Sequence, residues 1–347
     1  MSLQQGETER VFLDSYLAPL TSLLARDDVT DIYVNGPGDV WAETLRGQIE
    51  RHQLANIDDV LLERLARQIA ALTHQGISRE HPLLSATLPD GARVQVIGPP
   101  ATRGSMVMAI RKHVSSDLSL ADYVAMGAFS ATRLAGHAPA KALEQALAER
   151  LAGGDVAGAL AMAVKGRRNI LVSGGTSTGK TTFLNALLNE VPAEERLVII
   201  EDTPELLIRH ENAVGLVAVR SELGEAQVTA NDLVTATLRM RPDRIILGEL
   251  RGAEAGAFLR AVNTGHPGSM TTIHADSPDR AVEQLALLVL QSGTRLNRAD
   301  VLHHVRSTID VFVQLARTGG ARQVSEVMLG GRNVVGAEIP LPGCGQT

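Results

Sequence analysis

One eight-residue segment constrains the fold of this 347-residue chain more than any other feature. Residues 174–181 read GGTSTGKT and match the phosphate-loop pattern G-x-x-x-x-G-K-[ST] in full. An apolar run typical of a buried strand, Asn169–Ser173, precedes the segment, and a run typical of a helix, Thr181–Asn189, follows it. In that order, the glycines and the helix start turn backbone N–H groups toward a phosphate. The sequence therefore predicts a P-loop domain that binds a nucleotide.

Apolar and amphipathic runs alternate through the second half of the chain. Further strands are predicted at Arg196–Glu201, Asp243–Gly248 and Ser269–Ile273, and further helices at Asp232–Met240, Ala253–Asn263 and Ser277–Gln291. Strands that are apolar throughout belong to a parallel sheet whose two faces are both covered. We therefore predict an α/β fold in which this domain has a mainly parallel sheet.

The first third of the chain has short strands separated by turn residues. Strands are predicted at Asp31–Val34, Val40–Leu45, Ile49–Gln53, Arg93–Ile97 and Ser105–Arg111. Leu65 and Ile69 lie on one face of a predicted helix between the third and fourth of them. We predict an N-terminal α+β domain over residues 1–115, a helical linker over 116–165, the P-loop domain over 166–330 and a flexible tail over 331–347.

Charge and cysteine content exclude several classes of protein. The 33 Lys and Arg against 39 Asp and Glu give a net charge of −6, so nucleic acid contact is not expected to be primary. The single cysteine, Cys344, excludes an intrachain disulfide and a cysteine metal site. No signal peptide or apolar run long enough for a membrane span is found, so we expect a cytoplasmic protein whose membrane contact is at most peripheral.

The phosphate loop itself supplies the predicted ligands of ATP and Mg²⁺. Lys180 is expected to neutralise the β- and γ-phosphates, and the hydroxyl of Thr181 to hold Mg²⁺. Thr182 is expected on the α-phosphate side. The predicted nucleotide-binding residues are Gly174, Gly175, Thr176, Ser177, Thr178, Gly179, Lys180, Thr181 and Thr182.

Side chains that follow other predicted strands are candidates for the chemistry. Glu201 and Glu249 each follow an apolar run, and His274 follows another. Because the carboxyl ends of parallel strands meet at one edge of a sheet, both carboxylates are expected near the Mg²⁺ and the attacking water. A carboxylate after a strand also serves as a helix N-cap or lies in a surface turn, and a histidine there is often a structural hydrogen-bonding residue.

These segments together resemble one family, the secretion traffic ATPases. Residues 201–205, EDTPE, resemble its Asp box, and residues 240–252, MRPDRIILGELRG, its atypical Walker B motif with Glu249 as the acid. Residues 264–278, TGHPGSMTTIHADSP, resemble its His box. The last of these, followed by EQLA at 283–286, is most similar to the hexameric ATPases of type IV secretion and conjugation systems.

The resemblance implies a RecA-like P-loop domain, ATP hydrolysis and a ring of six subunits. It implies that Glu249 polarises the water or holds Mg²⁺ and that Glu201 is the general base, with the division between them open. It also implies that Arg93 and Arg111 reach from the N-terminal domain to the phosphates, the alternative being solvated strand arginines. Ser177 stands where the family more often has glycine.

For the function, the resemblance implies an ATPase that powers assembly of a type IV secretion system or substrate transfer through it. Its place would be the cytoplasmic face of the inner membrane, with inner-membrane components and other ATPases as partners. Three alternatives stay open at this point: an ATPase of tight-adherence or type IV pilus assembly, a nucleic-acid translocase, and a nucleotide-binding scaffold without turnover.

Overall fold

Two β-sheets organise the chain, which a computed structural model describes over residues 11–112, 119–132, 139–219 and 224–330. The first sheet has six antiparallel strands in the order β3-β2-β1-β6-β5-β4. Its strands are β1 (Val29–Gly36), β2 (Asp39–Thr44), β3 (Ile49–Gln53), β4 (Leu83–Thr87), β5 (Arg93–Ile97) and β6 (Val107–Arg111).

Helices cover one face of this first sheet. Helix α1 (Asp59–Leu72) begins where the Asp58 side chain accepts a hydrogen bond from the N–H of Leu61 at 2.7 Å. Its buried face packs into one apolar core with strands of the sheet and with the N-terminal helical segment, residues 11–24, which includes Ala18–Leu20 and Thr21–Leu24. The predicted α+β character of the N-terminal region is confirmed.

The second sheet has seven strands in the order β13-β12-β7-β11-β10-β8-β9, parallel except for the edge strand β13. Its strands are β7 (Ile170–Gly174), β8 (Leu197–Glu201), β9 (Ala213–Val217), β10 (Arg244–Leu247), β11 (Met270–Ile273), β12 (Val311–Thr318) and β13 (Ala321–Leu329). The later helices are α2 (Leu120–Ala125), α3 (Pro139–Ala152), α4 (Val156–Lys165), α5 (Lys180–Leu188), α6 (Ala230–Thr237), α7 (Glu254–Asn263), α8 (Pro278–Gln291) and α9 (Arg298–Thr308). The predicted mainly parallel sheet is confirmed.

The sequence analysis did not predict β4, β9, β12, β13 or α9. Strands β4 and β9 are short and only partly buried, so they lack the continuous apolar run that marks the central strands. Strand β13 is mostly exposed at the sheet edge, and its sequence ARQVSEVML is accordingly polar. Strand β12, by contrast, is buried over its first five residues, VFVQL, and had a readable signal.

Helices α3 and α4 belong structurally to the P-loop domain. Leu147, Leu160 and Val164 of these helices share an apolar core with Ile170 and Leu184 of the second sheet and its first helix. The predicted boundaries near 115 and 165 remain predictions, and this packing favours counting α3 and α4 with the second domain. The predicted tail over 331–347 lies outside the described residues.

The two domains are joined by a close contact at the edge strand β9. The loop between β5 and β6 runs along this strand, with the N–H of Val217 donating to Ala101 O at 2.9 Å and the N–H of Arg103 donating to Gly215 O at 3.0 Å. Tyr33 of the first sheet packs in the same apolar core as residues of the second domain. The contact therefore brings a loop of the N-terminal domain next to β8, which ends at the site described below.

A buried arginine fixes the same contact from the other domain. Arg196 lies 4.3 Å over the Tyr33 ring and donates to Asn35 at 2.7 Å and to Asn212 at 2.5 Å. Burial lowers the pKa of Arg196 to about 10, so the guanidinium stays charged at neutral pH.

Among the described residues, none of the helices combines the length and apolar character needed to span a bilayer.

Candidate nucleotide-binding site

A cavity of about 480 Å³ lies at the carboxyl ends of the central strands of the second sheet. Such a position is where ligands bind in open α/β sheets. The cavity is lined by Thr176, Ser177, Thr178, Gly179, Lys180, Thr181, Thr182, Glu201, Asp202, Thr203, Glu205, Gly248, Glu249, Arg251, Thr272, His274 and Arg322. The parallel sheet thus brings most of the predicted site residues together.

The phosphate loop connects β7 to α5 as the sequence predicts. Gly179 has φ +91°, a left-handed conformation that favours glycine, and helix α5 begins at the next residue. A Cβ on Gly174 would lie 3.0 Å from Leu315 O, so the close approach of β12 also requires glycine there. Ser177 has φ +62°, which costs a non-glycine residue about 1 kcal/mol. The serine therefore holds the backbone conformation that glycine adopts more easily.

Lys180 points into the loop, where it contacts backbone carbonyls, a histidine and a carboxylate. Its Nζ donates to Gly174 O at 3.1 Å and to Gly175 O at 3.3 Å. It also lies 3.2 Å from His274 Nδ1 and 3.8 Å from Glu249 Oε1. Burial lowers the pKa of Lys180, an effect that the nearby Glu249 carboxylate opposes. An ammonium group in this position is set to meet phosphate oxygens at the loop.

Glu249 and His274 are in direct contact at the cavity wall. His274 Nε2 lies 2.9 Å from Glu249 Oε1, and the other carboxylate oxygen pairs with Arg251. With its proton on Nε2, the ring would donate to Glu249 and accept from Lys180. His274 thus connects the acid that follows β10 to the lysine of the phosphate loop.

Glu201 has different surroundings, because it is more deeply buried and backbone N–H groups hold one of its oxygens. Its side chain is only 4% exposed, and Oε1 accepts from the N–H groups of Glu205 at 2.9 Å and Leu206 at 2.8 Å. Its other oxygen forms an ion pair with Arg103 of the N-terminal domain. The Arg103 stem crosses β9 at Gly215, where a Cβ would lie 2.6 Å from Arg103 Cδ. Glu201 therefore joins the two domains beside the cavity.

Arg93 and Arg111 do not reach this cavity within one chain. They line a second cavity of about 430 Å³, the arginine cavity, together with Asp31, Arg239 and Arg241. The two arginines stand opposite each other on β5 and β6, on strands whose contact with the second domain is made near α6 rather than at the phosphate loop. Their expected contact with the nucleotide phosphates is thus not made inside the subunit.

The sequence analysis missed Arg103, Arg251 and Arg322 as residues near the nucleotide site. Arg251 had a signal, because it follows Glu249 by two residues within the Walker B-like run. Arg103 and Arg322 had none, since each comes from a loop or hairpin distant in sequence from the motifs.

The donors present fit a magnesium site completed by the nucleotide. Thr181 and Glu249 line the same cavity, and Mg²⁺ is commonly held by one or two protein oxygens together with phosphates and waters. No group of three or more His, Cys, Asp or Glu side chains that could hold a metal alone occurs in the part of the chain that the structure describes. The site would therefore bind Mg²⁺ with ATP.

Comparisons with known proteins agree with this geometry. The model of the family described as Type II/IV secretion system protein matches residues 14–327. Type IV secretion system protein VirB11 of Bartonella quintana (strain Toulouse) is 37% identical over 337 residues, covering 93% of this chain and 94% of the relative. Protein VirB11 of Agrobacterium fabrum is 34% identical over 320 residues, covering 90% and 92%.

A solved structure has the same fold over nearly the whole chain. The crystal structure of the VirB11 ATPase from the Brucella suis type IV secretion system, in complex with sulphate, matches with a TM-score of 0.88 and 36% identity. The match covers 94% of this chain and 96% of that one.

The sheet, the phosphate loop and the acids at its edge define a P-loop nucleotide-hydrolysing protein. The chain belongs to the family of type II/IV secretion system proteins. The resemblance found in the sequence motifs is therefore confirmed.

Proposed function

We propose that the chain is a traffic ATPase that hydrolyses ATP to ADP and phosphate and powers a bacterial type IV secretion or conjugation system. The observation that carries the proposal is the meeting of Lys180, His274 and Glu249 beside a complete phosphate loop. Two relatives named as VirB11 proteins are 37% and 34% identical to this chain and match 93% and 90% of it. They support a type IV secretion ATPase over a pilus-assembly ATPase.

In the bound complex, the loop and Lys180 would hold the phosphates. Phosphate oxygens would replace the two backbone carbonyls that Lys180 now contacts, and charge-assisted hydrogen bonds are stronger than those to neutral acceptors. Thr181 and Glu249 would hold Mg²⁺, which neutralises the charge that develops on the transferred phosphoryl group. His274 would couple binding of the γ-phosphate to the position of Glu249, because its ring contacts both Lys180 and that acid.

For the two acids, the geometry supports a division of roles. Glu249 faces the cavity beside Lys180, so it is the group placed to orient the attacking water. Glu201 is only 4% exposed, and two backbone N–H groups and Arg103 hold its oxygens, whereas the arginine that pairs with Glu249 is itself half exposed, so Glu249 is the more accessible of the two acids. We therefore assign the water to Glu249 and give Glu201 a positioning role at the domain contact.

The arginine cavity could contact a nucleotide that is bound to a second copy of the chain. Arg93 and Arg111 would contact nucleotide phosphates only if another subunit of a homo-hexamer brought its site to them, or if the N-terminal domain moved. In a ring, ATP would then hold neighbouring units closed, and hydrolysis would release them. Inner-membrane components and other ATPases of the secretion system would be the partners, at the cytoplasmic face of the inner membrane.

Steady-state ATPase rates against protein concentration test the proposal. We expect the specific rate to rise with concentration as subunits assemble, and Lys180→Ala and Glu249→Gln each to lower it about 100-fold or more. Lys165→Ala is a matched control, because Lys165 is an exposed lysine paired with Glu190 outside the cavity. Turnover by Lys180→Ala equal to that of the wild type would show that the phosphate loop is not the site.

A further inference from the structure

The hairpin of β12 and β13 lies beside the phosphate loop. Strand β12 runs parallel to β7, with Leu315 opposite Gly174, and continues to Thr318 past the point where β7 turns into the loop. Gly319 and Gly320 form the turn with φ +59° and +89°, as a two-residue type I′ hairpin requires. The tight turn therefore fixes the start of β13 next to the loop.

Arg322 is the charged residue that this hairpin presents to the cavity. A Cβ placed on Gly179 would lie 3.0 Å from Arg322 Cδ and 3.6 Å from Nη1, so the side chain lies over the last glycine of the phosphate loop. Arg322 lines the same cavity as Lys180 and Glu249. Among the described residues its side chain forms no hydrogen bond or ion pair, so the guanidinium is free to meet a ligand.

The hairpin's own stability does not account for this arginine. Arg317 stands directly opposite Arg322 in the register, and like charges at such positions repel. No carboxylate in the described part of the chain pairs with either of them. A ligand in the cavity that contacts the Arg322 guanidinium would account for the residue better than the hairpin does.

The order of strands shows which end of a nucleotide would lie near Arg322. His274 and Glu249, which follow β11 and β10, lie on one side of β7, and the β12–β13 hairpin lies on the other. The γ-phosphate belongs beside Glu249, where water is to be oriented. The nucleoside end then points away from Glu249, toward the hairpin.

We propose that Arg322 binds the nucleoside half of ATP and ADP, with its guanidinium against the base. This inference rests on the proposed function, because it assumes that the phosphate loop holds a nucleotide. A guanidinium is planar and stacks on aromatic rings, which a lysine ammonium does not do in the same way. Arg322 is thus a positioning residue that orients the nucleotide and does not touch the reacting phosphate.

Equilibrium binding of two probes to the full chain with Mg²⁺ tests the proposal. ADP carries the nucleoside, whereas inorganic tripolyphosphate carries phosphates alone. For Arg322→Gln, we expect ADP affinity to fall about fivefold to tenfold and tripolyphosphate affinity to stay within about twofold. Arg322→Lys should behave like Arg322→Gln, since lysine keeps the positive charge but lacks the planar guanidinium group. Arg317→Gln, which removes the same repulsion but lies outside the cavity, should bind ADP like the wild type.

The proposal would be overturned by unchanged ADP affinity in Arg322→Gln, by equal losses for both probes, or by full recovery in Arg322→Lys. The last two would make Arg322 a phosphate-binding charge. An equal loss in Arg317→Gln would also overturn it, as a general effect of hairpin charge. Lys180→Ala separates this from the proposed function, because undiminished binding of both probes there would place the nucleotide elsewhere. Thermal unfolding of each variant without nucleotide would verify that the hairpin is intact.

Discussion

The phosphate-loop cavity and the arginine cavity are both lined by cations, but only the first contains acids in contact with them. In the first, Glu249 pairs with Arg251 and His274 and lies 3.8 Å from Lys180. In the second, Arg93, Arg111 and Arg239 form no ion pair within the described residues. Arg241 is the exception, because it pairs with Glu43 and Asp243 outside the cavity wall.

This difference supports our proposal that the first cavity can bind a nucleotide with residues of one chain, whereas the arginines of the second cavity would meet an anion carried by another molecule. Asp31, a carboxylate in the arginine cavity, is itself buried, and burial raises its pKa despite the nearby Arg111 and Arg241. The carboxylate is thus a poor counterion for four arginines. A phosphate group brought by another molecule would satisfy them better.

The largest expected effect comes from replacing Arg93 and Arg111, the two arginines that the family resemblance implies at the nucleotide phosphates. In Arg93→Gln/Arg111→Gln, we expect the ATPase rate at concentrations where rings form to fall about 100-fold, as for an arginine supplied in trans. ADP affinity of the dilute chain should not change, because neither side chain lines the nucleotide cavity. Rate and affinity are measured side by side for the wild type and the variant.

Arg64→Gln, an exposed arginine on α1, is the control for the loss of charge from the same domain. A fall in the ADP affinity of the dilute Arg93→Gln/Arg111→Gln chain would contradict the difference between the two cavities, since the arginines would then act within the subunit. An unchanged ATPase rate would mean that they are solvated strand arginines.

A smaller effect is expected at the contact between the domains, where Arg103 pairs with Glu201. Arg103→Gln leaves a carboxylate that is 4% exposed without its counterion, which costs about 3 kcal/mol of unfolding free energy. Arg103→Gln/Glu201→Gln should recover most of this loss, because the buried charge is then gone as well. Urea unfolding of the single and double variants measures the coupling.

If the double variant were no more stable than Arg103→Gln alone, the pair would not be what links the N-terminal domain to β8. The ATPase rate of Glu201→Gln gives a second readout of the same contact. A loss as large as that of Glu249→Gln would return the role of general base to Glu201.

How far the sequence predicts the molecule depends on whether a contact is local. The phosphate loop, Glu249 and His274 line one cavity, and the sequence could predict this proximity because each follows an apolar strand and parallel strands end at one edge. Arg322, which lines the cavity, and Arg103, which pairs with Glu201 beside it, were missed because the packing of a hairpin and a loop brings them there, and no periodic pattern encodes that packing. Arg93 and Arg111 were assigned by resemblance, and resemblance does not say which subunit's site a residue serves.

The smallest expected effect concerns Ser177, and it tests the phosphate loop of the first cavity within a single chain. Its φ of +62° is costly for serine, so Ser177→Gly should raise the unfolding free energy by about 0.5–1 kcal/mol in the nucleotide-free chain. Ser177→Ala keeps the Cβ and therefore the strain, so it should unfold like the wild type. Thermal unfolding of the three proteins measures the difference. Stabilisation by alanine but not by glycine would mean that the hydroxyl, and not the backbone, is the source of strain in the loop.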